Sequence, residues 1–306
     1  MGKRQKTKLD TAVNYVGASN QPPAAPYSSR NEALRKLFRN KAAVISLFVL
    51  VIICLACAMA PILTKWDYTA INSAGVFEPP SFAHIFGADN LGRDLFSRLL
   101  YGGRLTLRIA FAATVLAAAV GGTIGLLIGY FNGKADYFIS YALDILASIP
   151  VILLIIVAEI VLGWGRGNFM YAIAIASIPQ FARLMRASVM RIMGCQYIEA
   201  ARALGVRRRS IIIRHVLHNA APPLIVRFTS GVAESLLICT VMGYLSIGIN
   251  PPTPEWGALV YNSKSFIRSH PRLMIIPCVM ISACVISICV FGDGLRDVLD
   301  PKENGA

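Results

Sequence analysis

Six long apolar stretches constrain the fold of this chain more than any other feature. Each is long enough to cross about 30 Å of hydrocarbon as a helix, which takes about 20 residues. A helix satisfies its own backbone hydrogen bonds in lipid, so these stretches predict an all-α integral membrane protein with six transmembrane helices. The predicted spans are roughly 42–63, 105–130, 137–162, 169–190, 223–247 and 273–291.

The composition agrees with a membrane protein, because 56% of the 306 residues are hydrophobic and only 15% are charged. The net charge of +14 lies in two segments, since residues 1–41 and residues 183–214 each carry +7. Cytoplasmic segments of membrane proteins are enriched in Lys and Arg, so both are predicted to lie inside the cell. This explains the charge better than nucleic-acid binding, and no nucleic-acid partner is expected.

The charge pattern and the spans together predict the organisation of the chain, with both termini in the cytoplasm. Residues 1–41 are a predicted tail ending in a basic amphipathic helix on the membrane lipid. Residues 42–292 are the six-span domain, with a cytoplasmic loop at 191–221, and residues 293–306 are a polar cytoplasmic tail. Residues 64–104 and 248–271 are predicted to lie outside.

The cytoplasmic loop contains the stretch YIEAARALGVRRRSIIIRHVL, residues 197–217. Its first part has good helix formers, and Gly205 is a predicted helix stop. Residues 210–217 are long enough for a second short helix. Four Arg between Arg202 and Arg209 exclude the stretch from hydrocarbon, and its Ala-rich face lets another protein approach closely. We therefore predict a docking element rather than a catalytic site.

The sequence lacks the motifs of nucleotide hydrolysis and metal binding. The nearest approach to a phosphate-binding loop, at 129–135, is one residue short and lacks the hydroxyl residue. His215 and His218 have no third ligand near them in sequence, so no metal site is predicted. No nucleophile–base pair is visible either. The chain itself is expected to be neither an ATPase nor another enzyme, and no catalytic residue is predicted.

Three acids lie within the predicted spans: Asp144, Glu159 and Glu234. Acids in lipid are costly and often functional, so they could line a polar path. Structural hydrogen bonds or ion pairs between helices remain the alternative. Pro150, Pro179 and Pro277 are expected to kink or loosen their helices.

Small and aromatic residues suggest further packing features. The second span carries Gly121, Gly122, Gly125 and Gly129, a spacing that favours close helix packing in lipid. After the fifth span, the segment NPPTPEWG at 250–257 predicts a rigid turn, with Trp256 at the outer membrane interface.

Four segments, in order, resemble the inner-membrane permease subunits of bacterial ABC importers for dipeptides, oligopeptides or nickel. The central stretch resembles the family's E-A-A…G loop. The other three segments are FGADNLGRDLFSRLLYGGRLTL at 86–107, NPPTPEWG at 250–257 and FGDGLRDVLDP at 291–301. One departure is visible, because the family loop usually closes with Leu-Pro where this chain has Leu217-His218.

The resemblance implies a type I ABC importer permease in the bacterial cytoplasmic (inner) membrane. It implies a heterodimer with a second, homologous permease, two cytoplasmic ATPases that bind ATP and Mg, and an external solute-binding protein. No cofactor is expected in this chain. The residues implied in ATPase coupling are Glu199, Ala200, Ala201, Arg202, Gly205, Val206 and His215.

The implied substrate is a di- or oligopeptide, with nickel or another metal–chelate as the alternative within the family. Outside it, the alternatives are a membrane channel or scaffold that works without ATP and, with no positive support, an intramembrane enzyme.

Overall fold

Long helices make up the structure, a computed structural model that describes residues 30–71, 74–163, 165–249 and 251–299. These residues form no strand beyond one isolated bridge between Ala88 and Asp94. In chain order the helices are α1 Arg30–Arg39, α2 Lys41–Ala58, α3 Ala60–Leu63, α4 Leu95–Phe131, α5 Lys134–Ser148, α6 Val151–Leu162, α7 Arg166–Met193, α8 Gln196–Ala203, α9 Arg208–Tyr244, α10 Trp256–Ser263 and α11 Arg272–Leu299.

Helices occur at all six predicted spans, although not all of them are equally suited to lipid. Among the described residues, α2, α4, α9 and α11 are long and apolar enough to cross a membrane by length and composition. The α5–α6 pair is a fifth candidate only if a helix bent by 100° counts as one span. The fourth predicted span, α7, does not meet the same criterion. It is held instead by extensive contact with α4, and it also packs against α5, α6 and α9.

The sharp bend between α5 and α6 lies at Ile149 and Pro150. A proline disfavours helical backbone in the residue before it. Accordingly, Ile149 is extended, with φ −79° and ψ 131°, and α6 begins after Pro150. The predicted loosening at Pro150 is confirmed as a complete break of the helix.

The second helix of the predicted cytoplasmic loop is not separate from the fifth span, which corrects the prediction of a short helix at 210–217. Helix α9 runs without interruption from Arg208 to Tyr244. Its turns at Ile211–Leu217 are π-helical, and Pro222 and Pro223 follow inside the same helix. Any force applied at Arg208 therefore acts on the same helix that contains the predicted span.

Close packing of α4 on α7 confirms the prediction made from the glycines of the second span. A Cβ atom on Gly121 or Gly125 would overlap the backbone carbonyl oxygens of Ile178 and Ala182. On Gly129 it would lie 3.0 Å from the carbonyl oxygen of Arg186. The three contacts repeat every four residues on both helices, so one face of α4 touches the α7 backbone over two turns.

The last helix extends past the predicted end of the sixth span. Within the predicted polar tail, residues 293–306, α11 continues as a helix to Leu299. Gly292 faces Thr229 of α9, and Gly294 faces Ala43 of α2 too closely for a side chain. These glycines bring three helices together rather than end one. Residues 300–306 lie outside the described residues.

The N-terminal helix α1 occupies part of the predicted amphipathic segment and contacts α2 and α11. At its end, Arg35, Phe38 and Arg39 are exposed, which is typical of a helix lying on a membrane surface. The side chain of Asn40 caps the next helix by accepting the backbone N–H of Ala43 at 3.2 Å. The rest of the predicted tail, residues 1–29, lies outside the described residues.

Candidate functional sites: a cytoplasmic hairpin and a charge belt

The loop that the sequence predicts to be cytoplasmic contains a hairpin at residues 196–217, which we call the cytoplasmic hairpin. It begins with α8 and turns at Gly205. This residue has φ +76°, in the left-handed region that favours glycine. The N–H of Gly205 donates to the carbonyl of Arg202 at 3.0 Å, and that of Val206 donates to Ala201 at 3.1 Å. This pair of bonds is the Schellman arrangement that closes a helix, and it confirms Gly205 as the helix stop.

The hairpin is firmly attached to the ends of two long helices. Its buried side chains Ile198, Ile211 and Val216 form one apolar cluster with Val189 and Ile192 of α7. A second brace is polar, since the amide of Asn219 donates to the hydroxyl of Tyr197 at 3.1 Å. His215 packs beside the ring of the same Tyr197, at 6.4 Å between ring centroids. The hairpin therefore moves with α7 and α9 rather than independently.

The opposite face of the hairpin is open. Of the predicted coupling residues, Glu199, Ala200, Arg202 and Gly205 are exposed, and Ala201, Val206 and His215 are half-buried. The most exposed large apolar residue here is Leu204, 84% exposed at the tip beside Gly205. The motif did not single out Leu204. Its position could nevertheless have been found from the sequence, since a leucine directly before a predicted helix stop lies at the turn itself.

Two of the three predicted intramembrane acids form ion pairs with arginines of neighbouring turns or helices. Asp144 of α5 lies 2.8 Å from Arg183 of α7. Glu234 of α9 lies 2.7 Å from Arg227, two turns earlier on the same helix. Arg227 also donates to the side-chain oxygen of Gln180 on α7.

These five residues form what we call the charge belt: Asp144, Gln180, Arg183, Arg227 and Glu234. Gln180 and Arg183 are one turn apart on α7, so the two ion pairs lie on either side of one stretch of that helix. The side chains of Asp144, Arg183 and Glu234 are 63%, 49% and 51% exposed, and that of Arg227 is 20% exposed. The belt thus joins three helices and places two positive and two negative charges within the predicted spans.

A cavity of about 270 Å³ opens beside the Asp144–Arg183 pair. A second ion pair lies at its edge, where Arg186 donates to Asp136 at 2.7 Å. The cavity is lined by Ile128, Ser140, Leu143, Asp144, Arg183 and Arg186.

The third predicted acid, Glu159, is not part of the belt. It lies on α6 and is fully buried, with one carboxylate oxygen 3.4 Å from the backbone nitrogen of Gly165. Its other oxygen has no hydrogen-bond partner among the described residues. No group of three or more potential metal ligands occurs in the part of the chain that the structure describes.

The segment predicted to lie outside, residues 64–104 and 248–271, is called the outer segment, and several of its charged side chains are bonded within it. Asp89 accepts the backbone N–H of Leu91 and the side chain of Arg93, both at 2.8 Å. Asp94 caps α4 by accepting the N–H of Ser97 at 2.7 Å, and its other oxygen lies 2.9 Å from Nδ1 of His84. The described charges of the FGADNLGRDLFSR stretch therefore serve to build this segment.

Trp256 is buried in an apolar core that it shares with α2, α4, α9 and α11, so its predicted place as an aromatic at the outer membrane interface is wrong. The indole is fully buried, and its Nε1 donates to the carbonyl of Leu99 at 2.9 Å. Neighbouring Glu255 is also fully buried, and its carboxylate caps α10 by accepting the N–H of Ala258 at 2.9 Å. Burial raises the pKa of Glu255 to about 7, although hydrogen bonds from Gly257, Ala258 and Thr106 oppose the shift.

A helical membrane protein with a rigid hairpin between two spans and charges along those spans fits the class of membrane transport subunits. The family comparison makes this specific. The chain belongs to the family of binding-protein-dependent transport system inner membrane components, whose model matches residues 121–305. A second model, the N-terminal TM domain of oligopeptide transport permease C, matches residues 28–80. The chain is thus a permease subunit of such a transport system.

Similar proteins agree with this assignment. The dipeptide transport system permease protein DppC of Alkalihalophilus pseudofirmus is 37% identical over 287 residues, covering 93% of this chain and 94% of the relative. The glutathione transport system permease protein GsiD of Pectobacterium atrosepticum is 37% identical over 277 residues, covering 89% and 90%. The probable D,D-dipeptide transport system permease protein DdpC of Escherichia coli is 35% identical over 262 residues, covering 86% and 88%.

Among solved structures, this chain is similar to one of the MetNI methionine ABC transporter in an inward-facing conformation. The two share a TM-score of 0.56 and 22% identity, over 66% of this chain and 96% of that chain. This confirms the predicted all-α permease fold of the type I importers.

Proposed function

We propose that this chain forms half of the translocation path of an ATP-driven peptide importer. In this proposal, the cytoplasmic hairpin receives the movement of two ATPases that hold ATP and Mg. A second, homologous permease completes the path, and an external solute-binding protein delivers the peptide. The chain lies in the cytoplasmic membrane with both termini inside.

The observation that carries this proposal is the contrast between the two faces of the hairpin. Its inner face is fixed to α7 by the buried side chains of Ile198, Ile211 and Val216, and its second half is the beginning of α9 itself. Its outer face presents small residues and the exposed Leu204. An element that is rigid on one side and open on the other transmits a push from a partner into the spans as a rigid-body movement.

The names of the similar proteins support peptides as the substrate class. Relatives at 35–37% identity are named as permeases for dipeptides, glutathione and D,D-dipeptides, and glutathione is itself a small peptide. These names favour peptides over the metal–chelate alternative.

The charge belt supplies the polar surface that such a path needs. Three of its charged side chains are about half exposed or more, on helices that would otherwise be in lipid. A charged side chain at the centre of a bilayer costs about 2.5–3.5 kcal/mol even on insertion scales. We therefore assign Asp144 and Glu234 to the path, together with Arg183 and Arg227, and assign buried Glu159 to helix packing.

Replacement of Gly205 tests the coupling role. The Gly205→Val variant places a β-branched residue at φ +76°, which costs about 1–2 kcal/mol and turns α8 away from its position. Uptake of labelled dipeptide by the assembled transporter in proteoliposomes should be lost, while expression and membrane insertion remain. The control is Gly205→Asn, since asparagine tolerates left-handed backbone, and it should retain most uptake. Unchanged uptake in Gly205→Val would contradict the coupling role.

A further inference from the structure

The charge belt does more than make the path polar, because its charges are balanced. It contains two carboxylates and two guanidinium groups, and the second pair at the cavity edge, Asp136 and Arg186, is balanced as well. Such a surface favours neither a free cation nor a free anion. A molecule that carries one charge of each sign, held apart on one backbone, can instead satisfy both kinds of group at once.

Two of the four charged groups of the belt, Glu234 and Arg183, retain hydrogen-bonding capacity. Glu234 accepts two hydrogen bonds from Arg227, at 3.3 and 2.7 Å. A carboxylate has about four acceptor positions, so about half of them remain, on a side chain that is 51% exposed. Arg183 extends one terminal nitrogen to Asp144 and is 49% exposed, whereas a guanidinium group carries five N–H donors.

The free positions have opposite signs and belong to different helices. Arg183 on α7 offers N–H donors to an anion, and Glu234 on α9 offers oxygen acceptors to a cation. Gln180 and Arg227 lie between them and are bonded to each other, so they hold the two ends of the belt in place.

The cavity beside Arg183 gives the anionic end room. Its volume of about 270 Å³ is close to the lower limit of small-molecule sites, about 300 Å³. Ile128 and Leu143 supply an apolar wall, while Arg186 at the edge is already held by Asp136. The cavity therefore suits one terminal residue of a chain rather than a large ligand.

Pairing within the belt also limits how tightly a molecule can bind. A carboxylate that approaches Arg183 meets Asp144, and an ammonium group that approaches Glu234 meets Arg227. The bound ends thus share partners with the protein and add only part of a full ion pair. A transport path requires binding that is favourable enough to enter and weak enough to leave.

We propose that the charge belt binds both termini of a short peptide in transit, with the α-carboxylate at Arg183 beside the cavity and the α-ammonium group at Glu234. This rests on the proposed function, since it describes how the belt holds the imported peptide. It adds a requirement, namely that the permease itself reads free peptide termini independently of the external binding protein.

Direct binding to the assembled transporter tests this proposal without the binding protein and without ATP. The probes are dialanine, N-acetyl-dialanine and dialanine amide, measured by equilibrium titration. The wild type should prefer dialanine to both blocked forms. Glu234→Gln should weaken dialanine binding about tenfold and remove the preference over the acetylated form, while Arg183→Gln should do the same for the amide.

Charge-conserving variants separate recognition from misfolding. Glu234→Asp and Arg183→Lys should retain the preference for free termini, because each keeps its charge. The matched controls remove exposed charges outside the belt, in Asp67→Asn and Arg268→Gln, and should leave all three affinities unchanged.

The outcome is decisive either way. Blocked peptides that bind the wild type as tightly as dialanine, or a preference that survives Glu234→Gln and Arg183→Gln, would overturn the proposal. Uptake assays with the binding protein distinguish this from failure of the proposed function. If the wild type still imports dialanine, only the terminus-reading role is lost, whereas a transporter that imports none of a panel of di- and oligopeptides contradicts peptide import itself.

Discussion

The outer segment and the cytoplasmic hairpin differ in which residues they bury and which they expose. In the outer segment, Asp89, Asp94 and Glu255 are buried and bonded within the chain, and Trp256 fills the core. In the hairpin, by contrast, arginines and Leu204 face outward.

This difference separates residues that build the protein from residues that, in the proposed function, meet another protein. Recognisable sequence segments occur in both regions, so a recurring motif alone does not distinguish the two roles. Burial and bonding do. Three variants sharpen the comparison through the free energy of unfolding, from the largest expected effect to the smallest.

The largest loss of stability is expected from Trp256→Ala. Truncating a fully buried indole leaves a cavity and removes the bond to the carbonyl of Leu99, which should cost about 3–5 kcal/mol. Thermal unfolding of the purified protein in detergent measures the change. The control is Trp66→Ala, whose indole is 37% exposed and should cost much less. Equal losses from the two variants would refute the assignment of Trp256 to the core.

A pH-dependent loss is expected from Glu255. Its pKa is raised by burial to about 7, against an ordinary value of 4.5, so the folded state binds more protons between these pH values. Stability should therefore fall as the pH rises from about 4.5 to 7, by at most about 3 kcal/mol. Unfolding measured across this range should show a shallower fall in Glu255→Gln than in the wild type. Parallel curves for the two proteins would contradict the shift.

The smallest effect on stability is expected from Leu204→Ala. An exposed side chain at the hairpin tip supports nothing within the chain, so unfolding should change by less than about 0.5 kcal/mol. Binding of the ATPases should weaken about tenfold, since a leucine buried at an interface contributes about 1.5–3 kcal/mol. Co-purification and titration of the ATPase measure this. A variant that unfolds easily but still binds the ATPase normally would reverse the comparison.

The sequence predicted those features that depend on local pattern. The apolar stretches indicated the helices because each span must be apolar on its own. The glycines at 121, 125 and 129 indicated a packed face because their spacing is that of one helix face. Gly205 marked the turn because the left-handed conformation there favours glycine.

Features that depend on distant partners were missed or wrongly placed. Trp256 is buried by α4, and its bond to Leu99 joins residues 157 positions apart. The ion pair of Asp144 depends on the packing of α5 on α7. Arg227 was a missed opportunity, since an arginine two turns before Glu234 within an apolar span is visible in the sequence itself.

The backbone contact between α4 and α7 makes the two helices one rigid unit. Because Gly121, Gly125 and Gly129 leave no side chain between them, the two backbones pack in direct contact over two turns, and we expect the helices to move together. Helix α4 has 37 residues and a length of about 55 Å. A pivot of about 5° at one end would displace the other by about 5 Å, a distance comparable to one helical turn. A small rotation at the hairpin would thus displace the far end of α4, next to Asp94, by about the length of a peptide residue.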